Sequence, residues 1–307
     1  MKKFLITMIL CLILLGIYSY YKEIIQFLMI NVVYREETLI KENNIYGKNE
    51  DWSYIQITDD FFPNETKDIL NIFYTALSGG WDEVTLYCPI DYKSCIDDVK
   101  NIANESYLFS NINNFVSTYN TYNKIYVNLN TFGRVNIKIE KLYSAYEIEI
   151  LETKIDEIYN KLITKDMSDY DKILVIHDYI VNNTSYDQER ADLVNSGTVT
   201  DYNYASNTAY GALIQNKAIC GGYTDAMALF LDKMGIQNYK VSSAKHIWNF
   251  VYIDGNWKHL DLTWDDPIIS TGGNILTHNF FLIDTNTLEE KNTGEHEYDK
   301  NIFIEAQ

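Results

Sequence analysis

Apolar positions recur along this chain on several different patterns, and each pattern predicts its own kind of element. From Phe4 to Tyr21 no charged side chain occurs, a continuous apolar run close to the roughly 20 helical residues that cross a hydrocarbon core. Over residues 22–50 charges return among Ile24, Ile25, Phe27, Leu28 and Ile30, the mixed pattern of a stalk that continues the helix or lies on a membrane surface. Beyond Asp51, short helical stretches (Asn64 to Leu77, Ile96 to Ser106) are interleaved with alternating runs, Tyr126 to Leu129 and Val135 to Ile139, whose period of two is that of half-buried strands. Residues 51–151 therefore read as a small α+β domain. It contains no metal-ligand spacing, glycine-rich phosphate loop or internal repeat, and its role is not legible.

Residues 152–307 read as a second domain. Glu152 to Leu162 predicts a helix, and Ser168-Asp169 caps another in which Ile173, Ile176, His177 and Ile180 share one apolar face. A histidine on such a face is read as a packed core residue. Asp187 to Asn203 is polar, with a Ser-Gly-Thr cluster, and reads as an exposed loop. Tyr223, Ala226, Met227, Phe230, Leu231 and Met234 then recur at helical spacing as far as Gly235, a stop signal. Two strand-like runs follow, His246 to Tyr252 and Trp257 to Trp264, around Asp254-Gly255, which predicts a hairpin with a two-residue loop.

That hairpin carries chemistry. If Ile253 faces Asn256, the ladder sets His246 opposite Thr263, so Asp261 lies on the face of His246 and diagonal to it. A carboxylate there orients the imidazole, whose other nitrogen is free to take a proton from a nucleophile. Cys220 starts the preceding helix, where unpaired N–H groups and the positive end of the helix dipole stabilise a thiolate. Gly221 and Gly222 would let a substrate backbone approach closely. Asp265 and Asp266 are lower-ranked rivals for the acid. His259 shares the Asp261 side by parity and is read as packing. Trp248 and Trp264 are candidates for the walls of a cleft, although tryptophans on a half-buried sheet are usually core.

Composition and charge narrow the setting. Hydrophobic residues make up 47% of the 307 and aromatic residues 14%, enough to build packed cores. The formal net charge is −18, from 43 acidic and 25 basic side chains, which repels a phosphate backbone and excludes nucleic acid as a natural partner. Lys2 and Lys3 precede the apolar run, so the positive-inside rule leaves everything after about Tyr21 outside the cytoplasm. Gly16 to Tyr20 offers no A-x-A-like cleavage site, so residues 1–21 are expected to be an uncleaved single-pass anchor, with cleaved secretion as the alternative. Of four cysteines, Cys11 lies in the apolar run, Cys88 and Cys95 are spaced to close a disulfide or to lie buried as thiols, and Cys220 is left over as a possible reactive thiol.

The residues Cys220-Gly221-Gly222-Tyr223, then His246-x-Trp248-Asn249-x-Val251-x-x-Asp254-Gly255-x-Trp257, then Asp261-x-Thr263-Trp264-Asp265-Asp266-Pro267, closely resemble the core of the transglutaminase-like superfamily. The likeness covers roughly Tyr170 to Asp299, includes Thr208 to Leu213, and is nearest to the bacterial exported branch. It implies a papain-like α+β fold with the cysteine helix packed on an antiparallel sheet. By the same resemblance Cys220 is the nucleophile, His246 the general base and acid, and Asp261 the orienting acid. The implied reaction is acyl transfer or hydrolysis at amide bonds of protein or peptide substrates at the cell surface, through a thioester and without metal or cofactor. For the second oxyanion donor, Gln215 and Tyr210 are both candidates. The contrasting expectation is a surface-binding module that keeps the fold without catalysis; its signature, a missing triad member, is absent.

Overall fold

The computed structural model describes residues 2–28, 54–130, 132–199, 204–267, 276–291 and 293–306. Helix α1 (Lys2–Ser19) is followed by α2 (Tyr21–Leu28), and the rest of the expected stalk, residues 29–50, lies outside the described residues. None of α1 is buried against the protein, and its length and apolar character are those of a membrane span or a signal sequence.

The first folded stretch runs α3 (Thr66–Ser78), β1 (Glu83–Tyr87), α4 (Cys95–Asn104), α5 (Ser106–Asn113), β2 (Tyr122–Leu129) and β3 (Arg134–Lys141). Its sheet is antiparallel in the order β1-β3-β2. Val135, Ile137 and Ile139 turn inward at every second position, as their alternation predicts, and meet Ile69, Ile72 and Phe73 of α3. Helix α6 (Ala145–Leu162) begins seven residues before the sequence expectation, because Ser144 and Glu147 form a reciprocal capping box. Residue 151 thus lies inside a helix.

Next come α7 (Asp169–Asn183), capped by Ser168 as expected, β4 (Ser185–Tyr186), α8 (Gln188–Asn195), β5 (Lys217–Ala218), α9 (Cys220–Met234), β6 (Asn238–Ser242), β7 (Ile247–Ile253), β8 (Asn256–Leu260) and α10 (Thr285–Lys291). Helix α8 occupies part of the stretch read as a loop. It buries only Arg190 and Ala191 and is set by the Asp187 carboxylate, which accepts the Arg190 N–H, so apolar periodicity could not announce it. The main sheet is antiparallel, β6-β7-β8, and α9 packs on it. Asp254 and Gly255 have φ of 52° and 78°, the left-handed pair of a type I′ hairpin, and Ile253 pairs with Asn256 as predicted.

Both faces of this sheet are covered. Val251, Ile253 and Leu260 join the core with α7 and α9, whereas Tyr239, Val241, Trp248 and Phe250 join the core of the N-terminal stretch, with Phe115 and the C-terminal Phe303. Backbone and side-chain bonds reinforce the second contact: Lys240 N–H donates to Asn114 O, and Asn114 Nδ2 donates to Ser242 Oγ. Cys88 and Cys95, at the end of β1 and the start of α4, form a disulfide with Cα atoms 5.6 Å apart, inside the range such a bond requires. Replacing both cysteines by serine is expected to lower the unfolding free energy by about 2 kcal/mol, the loop-closure value for so short a loop. Urea denaturation of the variant against wild type measures this.

Candidate active site

Cys220 is held by its surroundings on the N-terminal side. Ile219 is extended and precedes the first turn of α9, and its N–H donates to Ser206 O at 2.7 Å. Short parallel pairing of β4 with β5 sets Tyr186 opposite Ala218, two residues before the cysteine. The glycines that follow serve a purpose other than the one the sequence suggested. A Cβ on Gly222 would lie 2.6 Å from Ser206 O and 2.9 Å from Thr208 O, and one on Gly221 would lie 2.2 Å from Asn207 Oδ1. They admit the protein's own turn at 205–208, so the space the sequence reading reserved for substrate is occupied. Cys220 itself is a free, half-buried thiol.

His246 stands one residue before β7, held by a tight turn in which Ser243 Oγ accepts the His246 N–H at 3.0 Å. Its Nε2 lies 2.6 Å from Asp261 Oδ2, and Cys220 stands near enough to the ring to raise its pKa, with Nδ1 the nitrogen left for the thiol. The three residues therefore come together, but not by the full ladder that was expected. Pairing ends at Asn249 with Leu260, and the chain turns at Asp261, whose Oδ1 accepts the N–H groups of Thr263 (3.0 Å) and Trp264 (3.3 Å). There is no His246–Thr263 pair. The predicted strand to Trp264 is too long because this Asp side chain competes with the ladder for backbone donors.

The electrostatics follow from burial and pairing. Burial disfavours a charged His246, but the Asp261 charge and hydrogen bond, then Cys220, outweigh it and push the imidazole up to about 10. Burial would raise Asp261, yet His246 and then His296 hold it well below the usual carboxylate range. His296 is a residue the sequence reading missed. Its Nε2 is 2.8 Å from the same Asp261 Oδ2 and its Nδ1 is 2.6 Å from Thr293 Oγ1. Tyr186 was missed as well. Its phenol is raised to about 12, by burial first and then by Cys220, Glu295, Asp192 and Asp261 around it. Neither lies in a periodic run, so pattern alone carried no signal.

The other singled-out residues are placed elsewhere. Gln215 is exposed at the end of a π-helical turn, Gly211–Gln215, and the Tyr210 ring packs on the core formed with α7 and α9. Trp248 is wholly buried, stacks on His246 with ring centres 5.6 Å apart, and donates from Nε1 to His259 Nδ1 at 2.9 Å. It is core and lines no open cleft. Trp264 is half-buried against the rings of Phe280 and His296. His259, on the Asp261 side as parity required, packs against Phe250, and burial, then His296, lower it to about 3. Asp266 accepts the Tyr223 hydroxyl at 2.5 Å, and Asp265 faces His177 at 3.2 Å, so neither rival acid reaches His246. Among the described residues two groups bring three ligating atoms together, each with two rings against one carboxylate oxygen: His246, Asp261 and His296, buried throughout, and His177, Asp178 and His278, open to solvent on one side.

Residues 153–278, less than half of the chain, match the family described as a transglutaminase-like domain. Two solved structures are similar. One is the crystal structure of a TGase, 17% identical, the likeness covering 52% of this chain and 48% of that one with a TM-score of 0.34. The other is a proposed cysteine protease from Cytophaga hutchinsonii, 16% identical, covering 50% of this chain and 65% of that one with a TM-score of 0.28. The likeness thus spans about half the length of the first and under two thirds of the second. No curated protein matches the chain. The described residues form a mixed helix and sheet protein with antiparallel sheets and an apolar N-terminal helix, the match to the transglutaminase-like family being confined to residues 153–278.

The raised His246 has a consequence for stability. A group whose folded pKa exceeds its unfolded value stabilises fully below the unfolded value and loses that contribution as pH climbs through the folded one. The stability advantage of wild type over His246→Gln is therefore expected to be largest at or below pH 6.5, the ordinary histidine value, and to shrink towards pH 10. Urea midpoints measured from pH 6 to pH 10 test this.

Proposed function

We propose that this protein is a membrane-anchored cysteine enzyme that cleaves or transfers acyl groups at amide bonds of proteins or peptides outside the cytoplasm, with Cys220 as nucleophile, His246 as base and acid, and Asp261 as the orienting carboxylate. The observation that carries this reading is the pairing of His246 Nε2 with Asp261 Oδ2 at 2.6 Å, with Cys220 beside the same ring at the start of α9, within the stretch that matches a transglutaminase-like domain. In the first step sulfur adds to the amide carbonyl carbon, and His246 Nδ1 holds the proton that the thiol has given up. In the second the C–N bond breaks, the leaving amine or ammonia takes that proton, and a thioester remains on Cys220. Water or an amine, deprotonated by the same imidazole, then adds to the thioester and expels the thiolate. Water gives hydrolysis or deamidation; an amine gives cross-linking.

The oxyanion formed in each addition needs donors at the position where charge develops. The Cys220 backbone N–H, at the first position of α9, is one. Tyr186, beside the cysteine across the β4–β5 pair, is a better candidate for the second than Tyr210 or Gln215. The apolar α1 helix supports the anchor, with Lys2 and Lys3 held inside. A Cys88–Cys95 disulfide suits an oxidising exterior. No cofactor is required by this chemistry.

The test is ammonia release from a glutamine peptide, or cleavage of a peptide library, by the detergent-solubilised full chain, with and without a primary amine. Cys220→Ala is expected to have no turnover, and Asp261→Asn to fall by roughly 10²–10⁴-fold with the fold intact. Wild-type turnover that persists in Cys220→Ala overturns the assignment; absence of any turnover or thiol-dependent labelling favours the binding-module reading instead. Tyr186→Phe is expected to lower kcat by roughly 10²-fold with little change in KM, and steady-state kinetics on the same peptide would show it.

A further inference from the structure

A second convergence of histidines and carboxylates lies where α7 meets residues 276–281, and the proposed acyl chemistry makes no use of it. His177 Nδ1 is 2.9 Å from Asp178 Oδ1, and His278 Nε2 is 2.8 Å from that same oxygen. All three ligating atoms lie within 4.8 Å of one another. His177 is fully buried, whereas the Asp178 and His278 side chains are 34% and 43% exposed, so the cluster is walled on the protein side and open to solvent on the other.

The hydrogen inventory of His177 is what points to a ligand. Its Nε2 faces Asp265 Oδ2 at 3.2 Å, a wholly buried carboxylate whose other oxygen is already occupied by Thr277 Oγ1–H and Phe280 N–H. A carboxylate only accepts, and both ring nitrogens face one, so a neutral ring satisfies only one of the two contacts; with the hydrogen on Nε2, it is the contact to the fully buried Asp265. Nδ1 then presents a lone pair to a second carboxylate oxygen 2.9 Å away. Two lone pairs at that distance repel, and a cation between them reverses the sign. A carboxylate behind a histidine whose opposite nitrogen binds a metal is a recurrent arrangement that fixes the tautomer and strengthens the ligand. Nitrogen–oxygen separations of 2.8 and 2.9 Å fit ligands about 90° apart at metal bonds of about 2.0–2.2 Å, and a regular tetrahedron would spread them to roughly 3.3–3.6 Å.

We propose that His177 Nδ1, Asp178 Oδ1 and His278 Nε2 bind one divalent transition-metal ion of the zinc class, with its remaining coordination positions open to solvent. Two imidazoles and one carboxylate suit zinc or cobalt, whereas calcium and magnesium take all-oxygen shells. The ion would clamp α7 to the 276–281 segment. Through Asp265, whose N–H donates to Asp261 O at 3.2 Å, the clamp abuts the turn that carries Asp261.

The experiment titrates Co²⁺ into the chelator-stripped full chain in detergent, in a Cys220→Ser background that removes the competing thiol, and follows visible absorption, bound metal per chain and melting temperature. One Co²⁺ per chain is expected, displaced by Zn²⁺ and raising the melting temperature. His278→Ala and Asp178→Asn are each expected to weaken binding at least tenfold while melting like the stripped parent; both change partly exposed side chains, so His177 need not be touched. No uptake overturns the proposal and leaves the contacts of His177 with Asp178 and Asp265 as ordinary hydrogen bonds. Uptake that is unchanged in both variants also overturns it and moves the ion to another site.

Discussion

Asp261 is a carboxylate in a place with almost no water, 2% exposed, and a buried charge of that kind is strongly destabilising unless every lone pair finds a donor. Four donors converge on it. Thr263 and Trp264 give their backbone N–H groups to Oδ1, and the rings of His246 and His296 meet at Oδ2. The four donors come from three separate parts of the chain: the turn after β8, the entry to β7, and a C-terminal segment 35 residues further on. Satisfying one carboxylate therefore fixes the end of the hairpin, the plane of His246 and the docking of the C-terminal segment together. Had Asp261 lacked the second imidazole, Oδ2 would rely on His246 alone, the group that has to exchange protons in the proposed reaction.

The sheet that presents His246 is itself braced from both sides. Helix α9 is stitched to β7 by Asn249 Nδ2, which donates to Thr224 O, and by Thr224 Oγ1, which donates to Ile247 O. On the same side Lys240 reaches Asp225 at 2.5 Å, and Tyr143 donates to the other Asp225 oxygen while its own oxygen accepts the Ala209 N–H. That buried relay connects the sheet, the cysteine helix and the turn before it. The N-terminal α+β stretch covers the opposite face through Phe115, Tyr239 and Phe250. A nucleophile on one element and a base on another keep a working separation only if both elements are rigid, and this chain supplies rigidity with packing on one face and a polar network on the other.

Much of this was legible in the chain itself. Helix α9 announced itself through Tyr223, Ala226, Phe230 and Leu231, and the hairpin register through Asp254-Gly255, because both signals are local and sterically determined. The end of the ladder was not legible, since it depends on Asp261 choosing backbone donors within its own turn. Gly221 and Gly222 were read for openness, but a glycine shows only that something comes close, and here it is Ser206 and Asn207. His296 and Tyr186 were invisible for a related reason: one lies in an aperiodic C-terminal segment, the other on a two-residue parallel strand, and their proximity to the cysteine and the acid exists only after folding. Helix α8 escaped because its face is polar and its start is set by the Asp187 cap.

The account stands on Cys220 carrying the acyl group between the two halves of the reaction. Intact-protein mass spectrometry of the full chain, quenched in acid after brief mixing with an activated acyl-amide peptide, measures this directly. The account requires one acyl adduct per chain, mapped to the peptide containing Cys220 and removed by neutral hydroxylamine as a thioester is. No adduct, or an adduct that resists hydroxylamine or persists at another residue when Cys220 is serine, would contradict it.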